Sequence, residues 1–173
     1  MKTVVAFTLA FIAILFCKTG FAQYDDTLVR VYRYYDTTDK VYITVAEDEY
    51  NDSEIKNWGW TDRQLLFYGY HKPGPDRVGV YGWLNPVSKA RISIAEDEFT
   101  DEHMQKNGYN QKHFQFYALT RRGPHTVCVY MWLMSKRHVW VTIAEDTDTD
   151  AYLRKGYHHK TYQYYAIYSG IRK

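Results

Sequence analysis

The chain has 173 residues, 46% hydrophobic and 24% charged, with 22 Lys+Arg against 20 Asp+Glu. This composition excludes a disordered or collagen-like polymer, a disulfide-dense miniprotein and a multi-domain assembly. Its 18 Tyr, 8 Phe and 5 Trp supply large ring surfaces for a core.

The first segment reads as a targeting signal. Met1-Lys2 is a short basic start, and Val4 to Cys17 is apolar apart from Thr8. That stretch is shorter than the roughly 20 residues a membrane helix needs, but it suits a signal-peptide hydrophobic region. Gly20 and Ala22 are the small residues a signal peptidase reads. Residues 1–22 are therefore expected to be removed, leaving Gln23–Lys173 as a secreted chain with no second apolar span. Lys2 and Lys18 leave with the signal, so basic and acidic residues balance in what remains. No Lys/Arg run longer than two residues remains apart from Lys136-Arg137-His138, and nucleic-acid binding has no electrostatic footprint. Cys17 also leaves. Cys128 alone remains, so no internal disulfide is expected; it reads as a small buried hydrophobe, with a Cys128-linked dimer as the alternative to a monomer.

Beyond the signal the chain repeats. Val29-Arg30-Val31-Tyr32, Val78-Gly79-Val80-Tyr81 and Val127-Cys128-Val129-Tyr130 open three units at spacings of 49 and 49 residues. Ala46-Glu47-Asp48, Ala95-Glu96-Asp97 and Ala144-Glu145-Asp146 keep those spacings, as do Asp52, Asp101 and Asp150. Gly59-Trp60, Gly108-Tyr109 and Gly156-Tyr157 follow, then the pairs Phe67-Tyr68, Phe116-Tyr117 and Tyr164-Tyr165. Residues 23–173 thus form one domain of three repeats, at about 29–77, 78–126 and 127–173.

Each unit reads as strand, strand, helix, strand. In the first, residues 29–35 alternate as a strand, a polar loop at 36–39 turns the chain, and residues 40–46 return as its hairpin partner. Asp48, Asp97 and Asp146 are expected as helix N-caps, with acids in the first turn and Lys56, Lys106 or Lys155 near the end. A glycine stops each helix, and an aromatic strand over 60–70 completes the unit. Units of this size cannot bury enough surface alone. The expected fold is mainly β with one short helix per repeat (a β-rich α+β class), as a pseudo-threefold closed single domain of β-trefoil type. A three-bladed propeller-like ring is the alternative. Closure would pair Tyr164–Ile171 with the segment near Tyr24.

Val31-Tyr32-Arg33-Tyr34-Tyr35, Thr44, Gly59-Trp60 and Phe67-Tyr68 resemble the units of DUF5648, a three-copy secreted repeat family of unknown function. The resemblance covers Val29 to about Ile167. It departs where the family carries Asp-His before its second strand and this chain has Lys40-Val41, Lys89-Ala90 and His138-Val139. The resemblance implies a non-catalytic module and suggests glycan binding.

Two sets of side chains are candidates for chemistry. Glu47/Asp48/Asp52, Glu96/Asp97/Asp101 and Glu145/Asp146/Asp150 are thrice-repeated acids. Asp48 and Asp52, Asp97 and Asp101, and Asp146 and Asp150 are hard oxygen donors suited to Ca²⁺, or alternatively helix caps. Trp60, Tyr109 and Tyr157, each followed three residues later by Arg63, Lys112 or Lys160, offer a flat ring and a cation for a sugar, and Lys40, Lys89 and His138 mark a second basic position. The alternative is that the rings pack and the cations reach water. GxSxG, HExxH and CxxC are absent from the sequence, and no enzyme activity is expected. Asn51-Asp52-Ser53 is an N-glycosylation acceptor at Asn51. The expected function is a secreted, lectin-like binder of glycans or glycoproteins with up to three shallow sites. An extracellular structural or adhesive protein of matrix or mucus is the alternative.

Overall fold

The computed structural model describes residues 28–38, 40–96, 101–134, 139–145 and 156–170. The signal segment, Tyr24, Asp97, His138, Asp146 and Asp150 lie outside the described residues. The fold is mainly β. Its strands are β1 (Leu28–Asp36), β2 (Val41–Ala46), β3 (Trp60–Tyr70), β4 (Arg77–Leu84), β5 (Arg91–Ala95), β6 (Gln111–Leu119), β7 (Thr126–Met134), β8 (Val139–Ala144) and β9 (His158–Tyr168). Among the described residues two short helices, α1 (Asp52–Asn57) and α2 (Asp101–Lys106), follow β2 and β5; the helix expected in the third unit lies outside the described residues.

Each repeat builds one three-stranded antiparallel piece: β2-β1-β3, β5-β4-β6 and β8-β7-β9. The third strands then meet one another. Tyr70 pairs with Tyr117, Leu119 with Tyr165, and Phe67 and Tyr68 with Tyr168 and Ile167. Together the ladders make one open antiparallel sheet of nine strands, in which β2, β5 and β8 each pair on one side only. Closure of trefoil or propeller type goes beyond these ladders. β9 finds its main partner in β7 of its own unit.

A bulge at the same place in every unit shapes the core. The ladder steps from Val31↔Phe67 to Tyr32↔Leu65, from Val80↔Phe116 to Tyr81↔Phe114, and from Val129↔Tyr164 to Tyr130↔Tyr162. Leu66, Gln115 and Gln163 are therefore unopposed. Two consecutive side chains turn inward at each bulge: Leu66-Phe67, Gln115-Phe116 and Gln163-Tyr164 are all buried. Phe67, Phe116 and Tyr164 meet edge to face, with centroids 5.9, 6.0 and 6.1 Å apart. Gly69 makes room for this triad, since a Cβ there would lie 2.4 Å from Phe116 Cδ2.

A second cycle joins the hairpin strands. Thr44 Oγ1 donates to the Thr142 carbonyl at 3.0 Å, Thr142 Oγ1 to the Ser93 carbonyl at 2.9 Å, and Ser93 Oγ to the Thr44 carbonyl at 3.5 Å. These three residues are 49 apart in sequence, so the repeat spacing reappears as a ring of equivalent contacts.

The helix starts differ from the sequence expectation. Asn51, not Asp48, caps α1: its side chain accepts from the Glu54 backbone N–H at 3.0 Å, and the Glu54 carboxylate accepts from the Asn51 N–H at 3.0 Å. This reciprocal capping box satisfies two N–H groups at once, which an acid three residues earlier cannot reach. Asp48 lies in the preceding turn, so it does not share a helix face with Asp52. The glycine stops after α1 and α2 are as expected, with φ of +75° and +83° at Gly59 and Gly108; Gly156 has φ of +87°, and the helix expected before it lies outside the described residues.

Candidate functional site

The cations and rings singled out in the sequence do not stand together. Trp60, Tyr109 and Tyr157 are 6%, 7% and 1% exposed and lie in the local cores of their units. Such rings present no free face to a ligand. Arg63, Lys112 and Lys160 instead cover the first-strand tyrosines: Arg63 Cζ stands 3.8 Å from the Tyr32 ring centre, Lys112 Nζ 4.1 Å from Tyr81, and Lys160 Nζ 3.7 Å from Tyr130. The cross-strand pairs Tyr32↔Leu65, Tyr81↔Phe114 and Tyr130↔Tyr162 bring these groups to one outer face.

Each outer face therefore carries a strip of ring, cation and carboxylate. In the second unit Phe114, 43% exposed, packs against Tyr81 and Tyr117. Lys112 Nζ reaches Asp101 at 2.8 Å and Glu96 at 3.4 Å. Burial works against the Lys112 ammonium, but the hydrogen bonds and charges of Asp101 and Glu96 outweigh it and raise its pKa. In the third unit Tyr162, 39% exposed, packs against Tyr130 and Tyr165. Lys160 lies 3.7 Å from Glu145, and the Tyr130 hydroxyl donates to the same carboxylate at 3.3 Å. Burial, reinforced by Cys128 and Glu145, pushes that hydroxyl up to about 12. The first unit has Leu65 where the others have an exposed ring, and Glu47 pairs there with Arg30 at 2.8 Å.

The acids thus serve cations and backbone. Asp101 holds Lys112, Asp48 lies 3.8 Å from His71, and Asp52 opens α1. Among the described residues no group of three or more His, Cys, Asp or Glu side chains is placed to hold a metal ion. Lys40 and Lys89 are exposed in their hairpin turns with left-handed backbone, at φ of 55° and 60°. Asn51 is exposed and caps the helix through its side-chain oxygen. Cys128 is a half-buried free thiol on β7.

One cluster escaped the sequence reading. Where β2 of the first unit meets β6 of the second, the Glu49 carboxylate is only 7% exposed and lies 2.5 Å from His113 Nε2. Gln115 Nε2 donates to it at 2.6 Å and the Ala46 N–H at 3.0 Å. Beside it the Tyr50 hydroxyl accepts from Arg91 at 2.7 Å, and burial, aided by Glu49, pushes that hydroxyl up to about 12. Gly82 was the available signal. Its repeat equivalents are Arg33 and Met131, and a Cβ at 82 would lie 2.4 Å from His113 Cε1. The cluster occurs at one unit boundary, and His113 and Glu49 lie 64 positions apart in the chain, so spacing alone could not reveal it.

The chain matches no protein-family model, no curated protein and no solved structure.

Proposed function

We propose that the protein is a secreted, non-catalytic, lectin-like binder of glycans or glycoproteins, working through up to three quasi-equivalent shallow sites. The observation that carries this reading is the strip around Phe114 and Tyr162. In each an exposed ring stands beside a cation already paired with a carboxylate. Aromatic faces cover the apolar C–H side of a sugar, while charged donors and acceptors take its hydroxyls. Repetition favours binding over catalysis, because several weak equivalent sites raise avidity by about 10²–10⁴-fold. The Glu49–His113 pair fits a structural lock better than a catalytic dyad: the space beside it holds about 10 Å³, the size of a single water.

The same proposal includes a pseudo-threefold closed arrangement of the trefoil kind, supported by the Phe67/Phe116/Tyr164 triad and the Thr44/Ser93/Thr142 cycle. It also keeps the kinship with DUF5648-like repeats, cleavage before Gln23, N-glycosylation at Asn51 and a monomeric state.

A glycan array probed with the purified protein in calcium and in EDTA tests the reading. Saturable binding to a defined sugar class, weakened in Phe114→Ala or Tyr162→Ala, is the expected result, and EDTA is expected to leave it unchanged. Absence of binding from folded protein overturns it and favours the structural or adhesive alternative.

A further inference from the structure

The three unit boundaries are built on one plan but filled differently. Tyr42, Arg91 and Trp140 are repeat equivalents on the second strands, and each packs against the neighbouring unit. Arg91 stands over Tyr50, Trp58 and Trp60 of the first unit, at 5.4, 5.2 and 5.0 Å from their ring centres. Trp140 packs on the local core of the second unit, and Tyr42 on that of the third. At the first boundary Tyr50 and Trp58 close the space over Trp60, their rings 5.6 and 4.9 Å from it.

The corresponding segment of the third unit, residues 146–155, lies outside the described residues. Between the third and first units the structure holds a groove of about 320 Å³, lined by Tyr35, Lys40, Tyr42, Asp62, Met134 and Tyr157. The equivalent space between the second and third units is larger, about 530 Å³; it also carries rings, Tyr109 and Trp140, and its lining is otherwise apolar apart from the His103 imidazole and amide and hydroxyl groups, with no carboxylate or ammonium. Of these two grooves, the one between the third and first units sets an ammonium and a carboxylate beside rings.

Its chemistry is specific. Tyr35 and Tyr42 lie 5.2 Å apart and tilted, with Arg33 4.6 Å from the Tyr42 ring centre. Lys40 and Asp62 are exposed, and both hold left-handed backbone, at φ of 55° and 53°. Non-glycine residues seldom hold that region. The volume falls at the lower end of the range for ligand pockets, about 300–1,000 Å³.

We infer that this groove is the principal saccharide site of the protein and takes one terminal pyranose, an inference that rests on the lectin-like reading above. The two tyrosine rings cover the apolar face of the sugar, Lys40 donates to its hydroxyl or carboxylate oxygens, and Asp62 accepts from its hydroxyls. The outer strips then add weaker contacts to the rest of a glycan.

The test uses the whole purified chain, a glycan array, and calorimetric titration with the methyl glycosides of glucose, galactose, mannose, N-acetylglucosamine and glucuronic acid. Lys40→Gly removes the ammonium and suits the left-handed backbone. Asp62→Asn removes the charge with a residue that tolerates the same conformation. Both are therefore expected to fold, as circular dichroism would verify. Each is expected to weaken binding at least about ten-fold, the scale of a charge-assisted hydrogen bond, while Phe114→Ala changes monosaccharide affinity less than three-fold. Unchanged affinity in both groove variants with a loss in Phe114→Ala overturns the groove as the site and leaves the lectin-like reading standing. No binding by the unaltered protein overturns both.

Discussion

Tyr164 is the third member of a buried triad whose other members are phenylalanines, and its hydroxyl pays for that difference. Phe67, Phe116 and Tyr164 are all fully buried, and the Tyr164 hydroxyl has no hydrogen-bond partner among the described residues. A buried donor left unmade costs about 1–3 kcal/mol. Tyr164→Phe keeps the ring and its two edge-to-face contacts and removes only the oxygen, so it is expected to stabilise the fold by that amount. For a chain of this size each kcal/mol raises the melting temperature by about 2–4 °C. Thermal unfolding followed by circular dichroism should therefore show a rise of roughly 2–12 °C.

The same hydroxyl gives a second, independent signature. Burial raises its pKa above the ordinary tyrosine value, so the folded state holds this proton more tightly than the unfolded chain does. Its contribution is fully present below about pH 10, the unfolded pKa. It is lost as pH climbs from there toward the folded pKa, at about 1.4 kcal/mol per pH unit for one proton. Tyr164→Phe should reduce the alkaline slope of stability by one proton, and Phe116→Tyr should steepen it and lower the melting temperature. A variant Tyr164→Phe that melts lower, with the alkaline slope unchanged, would refute the orphan-hydroxyl argument.

Other outcomes follow from the same structure. Gly82→Ala drives a methyl group into the His113 ring and parts it from Glu49, which should cost about 1–3 kcal/mol in urea unfolding. His113→Ala should cost a similar amount by leaving the Glu49 carboxylate with fewer partners; stability unchanged from the unaltered protein in both variants would remove the lock between the first two units. Asn51→Ala should destabilise by about 0.5–2 kcal/mol through loss of the α1 cap, whereas Asn51→Asp keeps the cap. Both variants should lose any glycan at that position, and a mass difference after secretion from a eukaryotic host would show it. Lys89→Gly relieves a left-handed backbone and should raise stability by about 1 kcal/mol; a fall would mean that the Lys89 side chain makes a contact worth more than the strain.

The repeat was readable from the chain because equivalent residues recur at a fixed spacing, and local signals did the rest. The strand at 29–35 and the glycine stops at Gly59 and Gly108 depend on neighbours in sequence, and each appears where those neighbours place it; strict alternation ends at Val31, because the register shifts that follow bring Tyr34 into the core. The cap at Asn51 was missed for a local reason: Asp48 and Asn51 are both competent oxygens, and only the reach to the Glu54 N–H separates them.

Other features needed the tertiary structure. The bulges at Leu66, Gln115 and Gln163 leave no mark in a single strand, because a bulge is a count of two strands against each other. The burial of Trp60, Tyr109 and Tyr157 in the unit cores and the seating of Arg63, Lys112 and Lys160 over Tyr32, Tyr81 and Tyr130 likewise depend on which strands lie side by side. The pairing of Glu49 with His113 and the groove between Tyr42 and Tyr157 lie between units. The chain determined by itself that there are three similar pieces, since hydrophobic pattern and turn chemistry are local. How the pieces differ at their boundaries, one closed by Arg91 and two left hollow, was decided only when side chains distant in sequence competed for the same space.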